Sequence, residues 1–273
     1  VLRAEQGSGW GWLAGLGLGV AALAKGPLAG LLVLASVPFL MARRRRILAR
    51  AFLVRCVPGS LLPASWYAVM AARFGWQFLD VHFGWHLFRR AGEGIFPADP
   101  LGPLFYVVSG LWRFLPWWPL FPGALWWGYI QARRGDRVAA WALGFGAVYF
   151  LAITLMRTKL DHYALPLVLP LALLVGSWGA STGPAGRADR ASAWLCRALA
   201  SLLLVGSGAA LGGAVPLDAR LRWPAVALAM FLGAVYLVCA ARLRRGARGA
   251  AWGLLLAAAA VAYVAGGVVL RPW

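Results

Sequence analysis

Long apolar runs separated by short basic clusters constrain the fold of this 273-residue chain more than any other feature. Hydrophobic residues make up 62% of the chain and charged residues 13%. In a water-soluble domain roughly a quarter of the residues are charged, and they cover much of its surface. The apolar runs are continuous and do not alternate with polar residues, so transmembrane helices are favoured over a β-barrel. The sequence therefore predicts an all-α integral membrane protein.

About nine transmembrane helices are predicted from the lengths of these runs. A helix needs about 20 apolar residues to cross the hydrocarbon, and about 17 suffice for a short span. The first two runs are short, and Lys25-Gly26-Pro27 between them predicts a tight turn in which Pro27 begins the second helix. The predicted spans cover residues 10–24, 27–42, 56–72, 104–130, 138–156, 163–179, 196–214, 223–241 and 250–270.

The 27 basic residues divide unequally between the two sets of loops that these spans create. One set carries a net charge of +14 and the other a net charge of +5, so the positive-inside rule makes the first set cytoplasmic. That set consists of the N-terminal tail and of residues around 43–55, 133–137, 187–197 and 242–248. Because the surplus charge lies in loops between apolar runs, it indicates membrane orientation and argues against a nucleic-acid partner.

Residues 43–55 form a special part of the first cytoplasmic loop. Ile47, Leu48, Ala51 and Phe52 would share one face of a helix, with arginines on either side. This pattern predicts an interfacial amphipathic segment on the inner leaflet, bound to membrane lipid. The alternative is a long third helix whose arginines extend to the interface.

Both lysines and all three histidines fall in the loops assigned to the outer face: Lys25, Lys159, His82, His86 and His162. Lys25 lies where two short helices turn back, and a cation held there needs an anionic partner or water. A phosphate would suit this position. The alternative is a lysine that extends along its helix to reach the interface.

A second polar cluster is expected at the outer mouth of two spans. It contains Arg157, Lys159, Asp161, His162 and Tyr163. Two cations, an imidazole and a phenol so close together suit an anionic headgroup, which they could bind through charge-assisted hydrogen bonds. The alternative is a solvated loop with a tyrosine in the aromatic belt.

The long outer loop over about 73–103 is too apolar for a free linker, and we expect it to fold back onto the membrane surface. Its aromatic residues are Trp76, Phe78, Phe83, Trp85 and Phe88. We predict an aromatic lid that brings Arg89 or Arg90 to an anion.

A divalent metal is the one cofactor that this loop could bind. His82 and His86 are spaced i, i+4, and Asp80 lies close to them in the sequence. Two histidines without a firm third ligand do not define a metal centre. We therefore assign no metal site and no certain cofactor.

Three motifs, in this order, resemble those of a known enzyme family. The apolar run that ends in Ala24-Lys25-Gly26-Pro27 resembles a run ending in Thr-Lys-Gly-Pro. His86-Leu87-Phe88-Arg89, followed by Pro103-Leu104-Phe105-Tyr106 and Phe114-Leu115-Pro116-Trp117, is similar to a long outer loop that enters a helix with Phe-Leu-Pro-Trp. The segment from Lys159 to Pro166 resembles Lys-x-x-His-Tyr-x-Leu-Pro. The family is that of the polyprenyl-phosphate-sugar-dependent glycosyltransferases, which includes bacterial lipid A aminoarabinose transferase and protein O-mannosyltransferases.

This resemblance covers about residues 10–180 and implies a partial GT-C type fold. It implies a bacterial inner-membrane enzyme that moves a sugar from a polyprenyl phosphate donor to a lipid, glycan or protein acceptor outside the cytoplasm. Displacement at the anomeric carbon needs cations for the departing phosphate and a carboxylate base for the acceptor hydroxyl. The residues assigned to the donor phosphate are Lys25, Arg73, Arg89, Arg157, Lys159, His162 and Tyr163.

Two departures from the family pattern concern the same site. Ala24 replaces the usual threonine, and Phe83-Gly84-Trp85 stands where many members carry an acidic residue or Asn. Both changes affect the contacts that the family makes with the donor headgroup.

The carboxylate base is expected to lie upstream of this chain. In the family it lies in the first outer loop, whereas the motifs found here belong several helices later. We therefore expect a C-terminal fragment that is inactive alone; if it were active, Asp80, Glu93 or Asp161 would be the candidate bases. Residues 1–180 would belong to the transmembrane core, followed by three further helices in 181–273. The alternative function is a transporter or flippase of a lipid-linked sugar.

Overall fold

The computed structural model describes residues 11–26, 28–42, 50–89, 92–93, 101–213 and 219–269. Of the described residues, 88% are helical and none belongs to a strand, so the all-α prediction is confirmed. The α-helices are α1 (Gly11–Lys25), α2 (Leu28–Ala42), α3 (Arg50–Leu79), α4 (Phe105–Arg113), α5 (Phe121–Arg133), α6 (Arg137–Leu155), α7 (Val168–Ala180), α8 (Arg187–Leu211), α9 (Ala219–Arg244) and α10 (Arg248–Val269).

Four helical segments of other types lie between these helices. Asp80–Arg89 is π-helical and follows α3, which is itself interrupted at Gly75, where φ is +56°. Three segments are 3-10 helical: Gly102–Leu104, Trp118–Leu120 and Asp161–Leu167. The predicted lid over the outer loop is therefore helical in its first part, and most of its second part lies outside the described residues.

Four helical stretches within the described ranges are long and apolar enough to cross a membrane. They are Arg137–Leu155, Asp161–Ala180, Arg187–Leu211 and Arg222–Arg244. Large apolar side chains on these helices face outward, including Leu155 at 73% exposure and Val205 at 71%. Such side chains are stable in contact with lipid, and the chain is a multi-pass membrane protein. The count of nine spans stays a prediction.

The structure divides the range 104–130, which the sequence predicted as one span. Helix α4 ends at Arg113, and α5 begins at Phe121 after a turn and a short 3-10 segment. Pro116 and Pro119 lie in this interruption. Since proline has no N–H and its ring clashes with the preceding turn, two of them three residues apart end the helix.

Helix α8 begins earlier than predicted. Residues 187–195 were expected to belong to a cytoplasmic loop, but α8 starts at Arg187. The Asp189 carboxylate accepts a hydrogen bond from the backbone N–H of Gly186 at 2.7 Å, which caps this end of the helix. Of the predicted interfacial segment, residues 43–49 lie outside the described part of the chain, and residues 50–55 belong to α3.

The chain forms two compact units, one made of residues up to 109 together with 131–170, and the other made of 110–130 together with 171 onward. In the first unit α1 packs against α3, and α2 packs against α6. Helix α6 is capped by Asp136, whose carboxylate accepts from the backbone N–H groups of Val138 at 2.8 Å and Ala139 at 3.0 Å.

Glycines let the backbones of α1 and α3 approach very closely. A Cβ atom on Gly15 would collide with the carbonyl of Cys56, and one on Gly59 would collide with the backbone of Leu16. A Cβ on Gly19 would meet the carbonyl of Gly59. Gly15 and Gly19 are spaced i, i+4, the small-residue spacing that packs helices tightly in membranes. This contact places the end of α1, with Lys25, beside the helix that leads to the outer loop.

In the second unit α8 packs against α9, and α9 packs against α10. The core contains large side chains that are almost fully buried: Trp178, Tyr236, Leu243 and Leu255. Tyr236 is 0% exposed, and its hydroxyl donates a hydrogen bond to the carbonyl of Pro116 at 3.2 Å. A buried hydroxyl in an apolar core requires such a partner, so this bond fixes the turn at Pro116 against α9.

Candidate functional site

Lys25 is the last residue of α1, and the turn that follows it is sharply defined. The Gly26 N–H donates to the Ala22 carbonyl at 2.7 Å, and the Gly26 carbonyl accepts from Ala29 at 3.0 Å. Gly26 has a φ of +55°, a conformation that side chains with a Cβ rarely adopt. The predicted tight turn between the first two helices is confirmed at this residue.

The first part of the outer loop reaches this turn through His82. A Cβ on Gly26 would lie 2.6 Å from His82 Nε2 and 3.4 Å from the Tyr67 hydroxyl oxygen. The Tyr67 hydroxyl and His82 Nε2 are 2.9 Å apart in a hydrogen bond. The structure thus brings together the turn after Lys25, the α3 residue Tyr67 and the π-helical segment that ends at Arg89.

Arg89 and Arg73 are the two described cations of this outer segment that were assigned to the donor. The Arg89 guanidinium lies over the ring of Trp85, 5.7 Å from its centroid, which is the geometry of a cation–π contact. Both arginines are exposed. Exposed guanidinium groups on a segment that carries Trp76 at 78% exposure and Phe88 at 69% suit an interfacial location. Arg90 lies outside the described residues.

Lys159 binds the carboxyl-terminal end of α6. Its ammonium group donates to the carbonyl of Thr154 and, at 3.4 Å, to that of Ile153. It also lies 5.6 Å from the centre of the Tyr106 ring. The last carbonyls of a helix carry partial negative charge, so this lysine stabilises the helix end in addition to any role toward a phosphate.

Tyr106 organises the connection that contains Lys159. It is 4% exposed; its hydroxyl donates to the Leu160 carbonyl at 3.3 Å and accepts from the Leu160 N–H at 3.3 Å. These two hydrogen bonds hold Leu160 in an extended conformation immediately before the 3-10 segment Asp161–Leu167. Tyr106 therefore fixes the backbone on which Lys159 stands.

The other predicted residues of the second cluster differ in exposure. Tyr163 is buried, at 8% exposure, and the ring of His162 contacts it edge-on with centroids 4.9 Å apart. His162 and Arg157 are exposed. Tyr163 thus packs beneath the surface against His162. His162 and Arg157 are the exposed members of the cluster, which a ligand can reach.

The contacts of the predicted residues form two groups, one around the turn after Lys25 and one around Lys159. Two residues that organise them, Tyr67 and Tyr106, were not assigned to the site from the sequence. Each is a tyrosine in an apolar helix, and a buried phenol hydroxyl needs a hydrogen-bond partner, which is the signal that could have found them. Among the described side chains no three His, Cys, Asp or Glu form a group that could hold a metal ion, and the side chain of His86 is outside that part.

Curated relatives of the chain are named as arabinosyl transferases. Undecaprenyl phosphate-α-4-amino-4-deoxy-L-arabinose arabinosyl transferase of Pseudomonas aeruginosa strain UCBPP-PA14 is 35% identical over 173 residues, which are 61% of this chain and 30% of that protein. The protein of the same name from Pectobacterium carotovorum is 32% identical over 220 residues, 77% of this chain and 38% of that protein. The one from Aeromonas salmonicida is 31% identical over 191 residues, 67% of this chain and 34% of that protein.

No family model and no solved structure matches the chain. The chain spans about a third of the length of the curated relatives it matches. The names of these relatives state the class of sugar donor and the type of reaction that the motifs led us to expect. The chain is accordingly homologous to part of the undecaprenyl phosphate-aminoarabinose arabinosyl transferases.

Proposed function

We propose that this chain is part of a membrane glycosyltransferase of GT-C type and that it binds the phosphate of a polyprenyl-linked sugar donor. The observation that carries the proposal is its similarity to transferases named for an undecaprenyl phosphate donor. On this reading about nine spans cross the bacterial inner membrane, and the donor site faces outward. Residues 1–180 belong to the transmembrane core of the enzyme, and residues 181–273 contribute three further spans.

The reaction would transfer a pentose from the carrier to a lipid, glycan or protein acceptor. The acceptor oxygen forms a bond to the anomeric carbon, the bond from that carbon to the phosphate oxygen breaks, and a carboxylate takes the proton of the acceptor hydroxyl. Negative charge develops on the departing phosphate, so cations fixed beside it stabilise the transition state. Lys25, Arg89 and Lys159 are proposed for this role, with Arg73, Arg157, His162 and Tyr163 around them, and the base is proposed to come from residues outside this chain.

The two groups of contacts support a site for an anion. Arg89 is exposed on a segment whose His82 contacts the turn after Lys25, so the segment that carries Arg89 touches the turn that follows Lys25. Arg157 and His162 are exposed beside Lys159 in the sequence, on a connection held by Tyr106. Of the three central cations, Lys25 gives the clearest test, because substitution of Lys159 would also remove a helix cap.

Replacing Lys25 by methionine is expected to weaken binding of undecaprenyl phosphate to the purified chain by between about tenfold and a hundredfold. A hydrogen bond to a charged group contributes about 1.5–3 kcal/mol, and about 1.4 kcal/mol corresponds to tenfold in affinity. The dissociation constant would be measured in detergent or nanodiscs by native mass spectrometry or fluorescence titration.

The matched control is Arg134→Met, which removes an exposed cation from a loop assigned to the cytoplasmic face. It should leave the affinity unchanged. Equal affinities of the wild type and Lys25→Met, or an equal loss in both variants, would contradict the assignment of Lys25 to the donor phosphate.

A further inference from the structure

The Tyr67 hydroxyl contacts both His82 and the carbonyl of Ala22. The Tyr67 hydroxyl carries one proton, and its oxygen lies 3.4 Å from the Ala22 carbonyl and 2.9 Å from His82 Nε2. Both contacts are hydrogen bonds when His82 Nε2–H donates to the tyrosine oxygen and the tyrosine donates to Ala22. The same Ala22 carbonyl accepts from the Gly26 N–H at 2.7 Å. One carbonyl therefore joins the end of α1, the turn at Gly26 and the Tyr67–His82 pair.

Aromatic side chains hold the His82 ring in this position. The ring stacks on Phe78 with centroids 5.2 Å apart and an interplanar angle of 22°. Trp66 and Phe83 contact it at steep angles, with centroids 6.0 Å and 5.4 Å away. Because aromatic packing on several sides restricts the orientation of the ring, Nε2 is presented to the Tyr67 hydroxyl.

The pair connects two chain segments that carry separate cations of the proposed site. Tyr67 belongs to α3, which packs against α1 through the glycine contacts, and His82 belongs to the π-helical segment that ends at Arg89. The turn beside Nε2 directly follows Lys25. A shift of this segment away from the turn would therefore move the backbone that carries Arg89 relative to the backbone that carries Lys25.

We propose that Tyr67 and His82 are positioning residues of the donor-phosphate site. Their hydrogen bond fixes the turn after Lys25 against the outer segment, so that Lys25 and Arg89 meet the same polyprenyl phosphate headgroup. The inference rests on the proposed function. Neither residue needs to touch the donor, since both act through the backbone that carries the two cations.

The test is the affinity of the purified full chain for undecaprenyl phosphate in three variants. Tyr67→Phe and His82→Phe remove the hydrogen bond but keep aromatic rings, and each is expected to weaken binding about fivefold, within the range that the loss of one neutral hydrogen bond allows. His82→Gln keeps a donor for the Tyr67 oxygen and should restore most of the affinity. The thermal unfolding midpoint of all three should stay close to that of the wild type. Tyr129→Phe, at a tyrosine that is 47% exposed, is the matched control and should bind normally.

The outcomes separate this inference from the proposed function. If the wild type binds undecaprenyl phosphate and both phenylalanine variants bind it equally well, the positioning role is overturned and the proposed function stands. If affinity falls equally in His82→Phe and His82→Gln, the hydrogen bond is not the cause, and the inference is also overturned. If the wild type does not distinguish undecaprenyl phosphate from undecaprenol, the proposed function fails, and the positioning role fails with it.

Discussion

Replacing Arg248 by methionine is expected to lower the free energy of unfolding by about 3–5 kcal/mol, because it leaves a carboxylate buried without its counter-charge. Arg248 is 8% exposed and Asp189 is 1% exposed. The guanidinium binds both carboxylate oxygens through one of its edges, Nε to Oδ1 at 2.6 Å and Nη2 to Oδ2 at 2.8 Å. Two-point binding of this kind gives a strong and geometrically specific pair.

The same guanidinium also holds the connection between α7 and α8. It donates to the carbonyl of Ser181 at 3.0 Å and to that of Pro184 at 2.9 Å. The carboxylate in turn caps α8 through Gly186. Loss of Arg248 therefore releases the ends of α8 and α10 and the connecting residues at once, which is why the expected effect is at the high end for one substitution.

The measurement is the unfolding free energy of the purified chain in mixed micelles titrated with a denaturing detergent. Arg245→Met, at an exposed position three residues earlier, is the matched control and should change stability by less than about 0.5 kcal/mol. Arg248→Lys keeps the charge but not the planar fork, so its stability should lie between those of the wild type and Arg248→Met. A loss of less than about 1 kcal/mol in Arg248→Met would contradict the role of the pair in stability.

Replacing Gly15 by leucine is expected to cost about 3 kcal/mol or more and to separate α1 from α3. Even the Cβ of the new side chain would collide with the backbone carbonyl of Cys56. A backbone atom cannot rotate away as a side chain can, so the two helices must move apart. The Cys56 Sγ–Gly11 carbonyl contact at 3.1 Å would be lost with the movement.

Gly17→Leu tests the same helix two residues away, where an added Cβ would have no atom within 4 Å among the described neighbours. We expect this control to leave stability unchanged or to raise it slightly, because leucine is a better helix former than glycine. Stability would be measured as for Arg248. In addition, Gly15→Leu should weaken undecaprenyl phosphate binding, since α1 carries Lys25. Similar stability of the two variants would contradict the close approach of α1 and α3.

The helices that the sequence predicted best are those with long apolar runs and clear ends. Helix α6 covers residues 137–155 against a predicted 138–156, since Asp136 caps its start and the apolar run has the length of a span. The range 104–130 was predicted less well because only its mostly apolar composition was considered, and the effect of Pro116 and Pro119 on the helix was not taken into account. Their effect on a helix is local, and it was visible in the sequence.

The start of α8 and the Asp189–Arg248 pair could not be predicted from hydropathy or charge. Both residues were counted as loop charges that set orientation, yet they bind each other in the interior of the second unit. The two residues are 59 positions apart, and no local pattern relates residues at such a distance. The pair removes one positive and one negative charge from the same set of loops, so the net charge of +14 that set the orientation is unchanged.

The candidate site was predicted in its residue types but not in its internal contacts. Lys25, Arg89 and Lys159 were selected because cations beside apolar helices suggested an anion. The hydrogen bond between Tyr67 and His82 joins residues 15 positions apart. The two hydrogen bonds between Tyr106 and Leu160 join residues 54 positions apart. Such contacts depend on how the helices pack, which a single sequence does not specify. The binding of Lys159 to the end of α6 also gives that lysine a structural role that its motif did not indicate.

The central claim is that this chain recognises the phosphate of a polyprenyl carrier. The most direct test compares the affinity of the purified wild-type chain for undecaprenyl phosphate with its affinity for undecaprenol, which has the same hydrocarbon and no charge. Two or three charge-assisted contacts predict a preference of at least about a hundredfold for the phosphate. Equal affinities for the two lipids would contradict the claim, because they would show that the chain binds only the hydrocarbon.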